Sequence, residues 1–174
     1  MFFNRKRKGM SFAELVIVFA IIGAVSAMTL PSLKRYSQRT ELAAQAKKAY
    51  ENIEDAVDNA ILSEGPVRNW DFSLSNEVFF KRYISPNLRT VSSDATEIVT
   101  VDGMKMSLAD ISATQAVIEV DVNNTKAPNV NGKDIFQFII EKDNEKVVPS
   151  SQYGTNDLWK NHWKFTDELW EQTW

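Results

Sequence analysis

The hydrophobic positions along the chain define a long N-terminal segment that changes character halfway. An almost unbroken apolar run extends from Leu15 to Leu30. At about 1.5 Å per residue, a helix over residues 10–30 is about 32 Å long, which matches a hydrocarbon core of roughly 30 Å. The pattern predicts a membrane-spanning helix over residues 10–31. We expect a kink at Pro31, because proline has no backbone N–H to donate to the helix.

After Pro31, apolar residues recur every three or four positions up to residue 61, and charged residues fill the positions between them. This spacing is typical of an amphipathic helix with one buried face. We predict that residues 32–64 continue the first helix, pack against a domain and end at Gly65-Pro66. The predicted buried face consists of Leu42, Ala46, Ala49, Tyr50, Ile53, Ala56, Val57, Ala60 and Ile61.

The remaining residues, 65–174, show the shorter patterns of a globular domain. Residues 70–86 indicate a loop and a short helix, with core positions at Val78, Phe79, Tyr83 and Ile84. From Thr96 onward, apolar and polar residues alternate with period two, which is typical of half-buried strands. Strands are predicted over residues 98–101, 104–108, 116–122 and 135–141, with an Asp143-Asn144 turn after the last.

The link between the first two predicted strands is Asp102-Gly103, a dipeptide that favours a two-residue hairpin with a type I′ turn. An antiparallel sheet built from such hairpins can bury one face against a helix. The sequence therefore predicts an α+β fold: a long N-terminal helix, membrane-spanning in its first half, packed against a small antiparallel sheet.

Charge and cysteine content narrow the function classes. The net charge is -3, and the basic residues at positions 5–8 contribute +4, so the rest of the chain carries -7. An acidic exterior argues against nonspecific nucleic-acid binding, which needs a basic surface. The chain has no cysteine, so disulfides, thiol catalysis and thiolate metal sites are excluded.

The N-terminal pattern alone allows three interpretations. A basic start, an apolar middle and the small pair Ser26-Ala27 are compatible with a secretory signal peptide. The second interpretation is a plain membrane anchor, oriented by the basic residues at positions 5–8 on its cytoplasmic side. Neither explains Glu14, because a carboxylate in an apolar run is costly. In the third, Glu14 acquires a positive partner when subunits assemble.

The residues around Gly9 resemble the processing site of type IV pilins and type II secretion pseudopilins. Gly9 is followed by Met10-Ser-Phe-Ala-Glu14, with basic residues before it and the apolar run after it. The resemblance implies that prepilin peptidase removes residues 1–9 as a cytoplasmic leader and methylates the new N-terminus at Met10. Glu14 matches a glutamate that the family keeps, and Pro31 matches a helix-kinking proline. Met10 departs from the commonest residue, phenylalanine.

The resemblance implies a structural subunit of a pilus (fimbrium) or of a protein-secretion pseudopilus. The subunit would cross the inner membrane once, with a cytoplasmic N-terminus and an extracytoplasmic domain, before joining an extracellular or periplasmic fibre. Glu14 would pair there with the Met10 amine of a neighbouring subunit. Its partners would be identical or related pilin subunits, the prepilin peptidase and methyltransferase, an inner-membrane assembly platform and membrane lipid. On this interpretation the chain is not an enzyme and has no cofactor.

The alternative from another class is a membrane-anchored extracytoplasmic binding module. Two parts of the domain could serve it. Some pseudopilins bind calcium in a loop beside the sheet, and Asp121, Asn123, Thr125 and Asp134 offer oxygen ligands in such a loop. The competing interpretation is a turn in which these side chains bond to nearby backbone, so no metal ligand is assigned.

The second part is the C-terminal tail, which is rich in tryptophan. Trp159, Trp163, Trp170 and Trp174 share one face if the tail is helical. We expect them to pack back onto the sheet in place of a disulfide; the alternative is an exposed docking patch. His162, the only histidine, has no Ser or Cys motif to serve, so no catalytic residue is predicted.

Overall fold

The computed structural model describes residues 9–94 and 96–172. The predicted leader before Gly9, and Trp174 in the tail, lie outside the described residues. The chain divides into two compact units, Met1–Gln38 and Arg39–Trp174, and one helix, α1 (Phe12–Glu64), contributes residues to both.

In the first unit, α1 is apolar and exposed. Many of its large side chains, among them Phe12, Phe19, Ile22 and Met28, are more than half exposed. The most apolar stretch has a mean hydropathy of 2.2 and none of it is buried. By length and composition α1 could therefore cross a membrane, as predicted. The helix continues through Pro31 without interruption, so a kink at this residue stays a prediction.

In the second unit, α1 is amphipathic, and its buried face is the predicted one. The buried residues are Leu42, Ala43, Ala46, Ala49, Ile53, Ala56, Val57 and Ala60, while Tyr50 and Ile61 pack at the edge of the same core. The spacing of three and four residues places these side chains on one stripe. The helix ends at Glu64, and Gly65 takes a left-handed conformation with φ 85°, which glycine adopts without steric cost.

The apolar face of a six-stranded antiparallel sheet contributes to the same core. The order of the strands in the sheet is their order in the chain. The strands are β1 (Thr90–Ser93), β2 (Glu97–Thr100), β3 (Lys105–Ile111), β4 (Gln115–Asp121), β5 (Ile135–Glu141) and β6 (Lys146–Pro149). In β4, Ala116, Ile118 and Val120 are buried, while Glu119 and Asp121 on the other face are partly exposed. The predicted α+β fold is therefore confirmed.

The hairpin between β2 and β3 is present, but the type I′ turn predicted for it is wrong. The N–H of Thr100 donates to the carbonyl of Met104 at 2.9 Å, and the N–H of Gly103 donates to the carbonyl of Thr100 at 2.9 Å. Three residues therefore form the loop. Within it only Gly103 has positive φ, 83°, whereas a type I′ turn needs two such residues. Val101 is the additional loop residue and is exposed.

Shorter elements complete the domain. They are a 3₁₀ turn (Val67–Asn69), α2 (Asn76–Phe79), a π turn (Phe80–Ile84), two further 3₁₀ turns (Ser85–Asn87 and Gln152–Gly154), α3 (Thr155–Lys160) and α4 (Asp167–Glu171). The ring of Trp70 stacks on that of Tyr83 with 4.5 Å between centroids, and Phe79 and Ile84 are fully buried. Core packing of this segment is confirmed except at Val78, which is 48% exposed.

Candidate functional site

Gly9 and Met10 precede α1 and are exposed. A Cβ atom added to Gly9 would meet no other atom within 4 Å, and the residue does not adopt a left-handed conformation. The fold itself therefore gives no reason for glycine at this position. A requirement for a small residue at this position is what the predicted peptidase would impose.

Glu14 closes the N-terminus of α1 by a reciprocal pair of hydrogen bonds. The backbone N–H of Ser11 donates to Oε2 of Glu14 at 2.7 Å, and the backbone N–H of Glu14 donates to Oγ of Ser11 at 3.2 Å. This arrangement is a capping box, and it satisfies two N–H groups that an unprotected helix end leaves without partners. The Ser-x-x-Glu spacing is visible in the sequence and would have predicted this cap, a role of Glu14 separate from the predicted role in assembly.

The loop between β4 and β5 is organised around the carboxylate of Asp134, which is fully buried. Its oxygens accept hydrogen bonds from the backbone N–H groups of Asn129 and Val130, both at 2.7 Å, and from the Nδ2 group of Asn123 at 3.2 Å. Asp121 in turn accepts from the backbone N–H of Asn123 at 3.1 Å. The structure therefore shows the side-chain-to-backbone turn that was the competing interpretation of this loop.

Two features of this loop bear on calcium binding, for which the sequence assigns no ligand. Burial raises the pKa of the Asp121 carboxyl, and the nearby charge of Asp134 adds to the increase. The side-chain oxygen of Asn123 is buried without a hydrogen-bond partner. Thr125 is exposed. In the part of the chain that the structure describes, no group of three or more His, Asp or Glu side chains is arranged to hold a metal ion.

The tail does not form one helix, so its tryptophans do not share one helical face as predicted. α3 ends at Lys160, and both His162 and Trp163 then take left-handed conformations, with φ 55° and 57°. Even so, the tail packs back onto the second unit as expected. The ring of Trp163 lies 5.8 Å from that of Tyr50 on α1, and Phe165 lies 6.5 Å from Phe136 on β5.

Arg39 holds the far end of the tail, a role that the sequence did not reveal. Its guanidinium pairs with Asp167 and lies 3.7 Å from Glu171. The same group sits 5.0 Å from the ring centroid of Trp170, an attractive cation–π contact. In the sequence, only the spacing of Asp167 and Glu171 in α4 could have suggested a basic partner. That spacing does not identify which basic residue of the chain the partner is.

Trp159 differs from these packed rings because it is 44% exposed. It lines an open cavity of about 560 Å³ together with Lys47, Lys160, His162 and Trp163. We call this the Trp159 cavity. An exposed docking patch is the alternative interpretation of the tail tryptophans. Of the tail residues that the structure describes, Trp159 fits this alternative best.

Comparison with known proteins gives one partial similarity. No family model matches the chain, and no solved structure matches it. The chain is similar to the N-acylneuraminate cytidylyltransferase of Escherichia coli O18:K1:H7 (strain RS218 / NMEC), with 32% identity over 82 residues. The match covers 44% of this chain and 19% of the relative, so the chain spans about a fifth of the relative's length.

This similarity contradicts the prediction that the chain is not an enzyme, because the relative is named for an enzymatic activity. That prediction followed from the resemblance to pilins and was supported by the lack of cysteine and of a Ser or Cys motif for His162 to serve. A site assembled from residues far apart in the sequence leaves no short motif, so such reasoning could not exclude one. The similarity does not bear on the resemblance to pilins, which rests on the residues around Gly9.

Proposed function

We propose that the chain is a structural subunit of a type IV pilus or of a type II secretion pseudopilus. In this proposal it is cut after Gly9, methylated at Met10 and polymerised through the first half of α1. The observation that carries the proposal is the processing motif placed directly before a helix whose large apolar side chains are exposed. In water that surface is strongly unfavourable. Lipid would cover it before assembly, and the same helix of other copies would cover it afterwards.

The charge at Glu14 adds a second argument. A carboxylate at the centre of a membrane helix costs about 2.5–3.5 kcal/mol, and less near the end. A plain anchor gains only the helix cap in return, about 1 kcal/mol. Processing would create a positive amine at Met10, and the carboxylate of a neighbouring subunit could pair with it in an apolar fibre core. Leaving either charge unpaired there would be strongly destabilising.

The topology in this proposal follows from the same residues. The basic residues at positions 5–8 would hold the N-terminus in the cytoplasm, and the domain from Arg39 onward would lie outside the inner membrane. Assembly would require identical or related subunits, the processing enzyme and a membrane platform, and it would place the domain on the fibre surface.

The test is to express the full chain with prepilin peptidase and the assembly platform, then to compare membranes with sheared fibres. We expect mass spectrometry to show loss of residues 1–9, a methylated Met10 and subunit in the fibre fraction. An uncut chain that stays monomeric in the membrane would contradict the proposal. It would favour the alternative, a membrane-anchored binding module.

The similarity to the cytidylyltransferase favours a second candidate, transfer of a cytidylyl group to an N-acylneuraminate. The match covers 19% of that enzyme, so this activity needs a direct assay on the purified chain. Incubation with cytidine triphosphate, Mg²⁺ and an N-acylneuraminate should give the cytidylyl conjugate and release pyrophosphate if the candidate is correct. The absence of conjugate under conditions where the E. coli enzyme produces it would eliminate this candidate.

A further inference from the structure

The Trp159 cavity is built from two rigid pieces of the second unit. The backbone N–H groups of His162 and Trp163 donate to the carbonyls of Trp159 and Leu158 at 3.0 and 2.9 Å. These bonds close the turn after α3 and fix the two left-handed residues. The ring of Trp163 is also held by Tyr50, 5.8 Å away on α1. The backbone of the turn and the indole of Trp163 are therefore held in place before any ligand arrives.

The exposed indole of Trp159 is the unusual part of this wall. Elsewhere in the domain Trp70 is 2% exposed, and Trp163 and Trp170 pack at the edge of the core. A large flat apolar ring left in solvent gives a ligand a stacking surface at little entropic cost, because indole has few rotatable bonds. The volume of about 560 Å³ lies within the range of small-molecule sites.

The side chains that line the cavity favour an anionic ligand. Lys47, Lys160 and His162 line it, and no acid among the residues that the structure describes does. Lys47 is also 3.5 Å from Glu51, with both side chains more than half exposed, and such exposed pairs are weak. Lys47 can therefore turn to a ligand, and Lys160 adds a second ammonium group. Each ammonium group can donate charge-assisted hydrogen bonds to a carboxylate.

The neighbouring surface restricts the size of that anion. Trp159 also borders a second cavity, of about 800 Å³, between α1 and β6. Five carboxylates line this acidic groove, with Lys146 as its cation: Glu54, Asp55, Asp58, Glu141 and Glu145. An extended polyanion lying across Trp159 would run into this groove and be repelled. A neutral, hydroxyl-bearing part would not, because hydroxyl groups can donate hydrogen bonds to carboxylates.

We propose that the Trp159 cavity binds a saccharide that carries one carboxylate, such as a terminal uronic acid. The apolar face of the sugar ring stacks on Trp159, its carboxylate pairs with Lys160 and Lys47, and its hydroxyl groups extend toward the acidic groove. A nucleic-acid strand has the stacking bases and the negative charge, but its repeated phosphates would meet the groove carboxylates. This inference does not depend on fibre assembly.

The test is calorimetric titration of the full chain in detergent micelles with two matched sugars, methyl glucuronide and methyl glucoside. They differ in a single carboxylate. We expect the glucuronide to bind about fivefold more tightly, the upper end for an ionic contact between exposed groups. Lys160→Glu should remove this difference, whereas Lys164→Glu, an exposed tail lysine outside the cavity, should keep it. Trp159→Ala should weaken both sugars, and thermal unfolding of each variant checks that the domain is intact.

Three outcomes would overturn the inference. The first is equal affinity for both sugars, and the second is no binding of either at millimolar concentration. The third is binding of single-stranded oligothymidylate in preference to the glucuronide, with the oligonucleotide affinity lost in Lys160→Glu. That last result would assign the cavity to nucleic acid.

Discussion

Replacing Glu14 with glutamine separates the two roles that the structure and the proposed function give to this residue. In the structure, Glu14 caps α1 through its reciprocal bonds with Ser11. In the proposed fibre, its charge pairs with the Met10 amine of another subunit. Glutamine is accepted at this position of a capping box but carries no charge, so the variant keeps the first role and removes the second.

The two roles differ in magnitude. Loss of a helix cap costs about 1 kcal/mol, roughly a fivefold change in an equilibrium. Loss of one partner of a buried ion pair costs about 3–5 kcal/mol, which corresponds to a change of roughly 10² to 10⁴. A capping role alone therefore predicts near-normal fibres from Glu14→Gln. The charge role predicts that fibres almost disappear.

The assay compares cleaved subunit in membranes with subunit in sheared fibres, in cells that lack an unmutated copy. Leader cleavage should survive in Glu14→Gln, because the cut lies at Gly9-Met10 and the basic flank is unchanged. Ser11→Ala is the matched control, since it removes one capping bond and leaves the charge; it should reduce fibres only slightly. Glu14→Leu removes both roles and should fail to assemble.

The reasoning would be refuted if Glu14→Gln assembled at the native level while Glu14→Leu did not. That result would show that Glu14 acts only as a helix cap. Normal assembly of both variants would go further and exclude any role of the residue in the fibre, as the plain-anchor interpretation requires.

Three further predictions follow from named contacts. Gly9→Trp should block leader removal because the segment is exposed and only the peptidase constrains its size; a normal mature mass would contradict the processing assignment. Arg39→Ala should lower the free energy of unfolding by about 1–3 kcal/mol, since it releases Asp167 and Trp170; an unchanged melting temperature would show that the tail is held elsewhere. Burial raises the pKa of Asp121 above its ordinary 3.8, so its contribution to stability falls as pH rises through that window. Asp121→Asn should therefore raise the melting temperature at neutral pH in chelator, with the gain vanishing below about pH 3.8; if calcium binds, the same variant should instead lose a calcium-dependent shift.

Much of the fold could be predicted because its core residues follow a regular period. The stripe from Leu42 to Ile61 on α1 and the alternation along β4 both depend on repeated geometry, with one buried side in each element. Burial then follows from spacing alone. The two edge strands lacked this signal. All four residues of β1 are exposed, so this strand has no buried side. β6 buries Val147 and Pro149 in alternation, but Val148 between them is also apolar, so its sequence does not alternate apolar and polar residues.

The errors in the site arose where backbone conformation, not side-chain period, decides the structure. The spacing of the tail tryptophans suggested one helical face, but His162 and Trp163 turn left-handed after a six-residue helix. Non-glycine residues in this conformation are uncommon, and no residue type in the segment marked them. Arg39 was missed because its partners lie more than a hundred residues away in sequence. The hairpin loop contains one residue more than predicted, Val101, and the Asp102-Gly103 dipeptide does not indicate this additional residue.

The tail contacts also explain how a domain without cysteine closes its fold. Arg39 and Tyr50 lie on α1, and each binds a different part of the tail, through Trp170 and Trp163 respectively. Two separate attachments restrict the tail as a cross-link would. They depend on packing and charge, so salt should weaken the Arg39 attachment more than the Tyr50 attachment.

The capping box also changes how Glu14 enters the membrane. In the chain before processing, the carboxylate already accepts the N–H of Ser11, so it is not a bare charge in lipid. A position near the helix end costs less than the 2.5–3.5 kcal/mol or so of a central one, and the capping bond offsets about 1 kcal/mol of the remainder. Cleavage would then produce an amine at Met10, next to the same cap, and a charged partner would replace a neutral one. In the proposed fibre, the same carboxylate would therefore be tolerated in the monomer and required after assembly, because its partner would change from the Ser11 N–H to the Met10 amine of a neighbouring subunit.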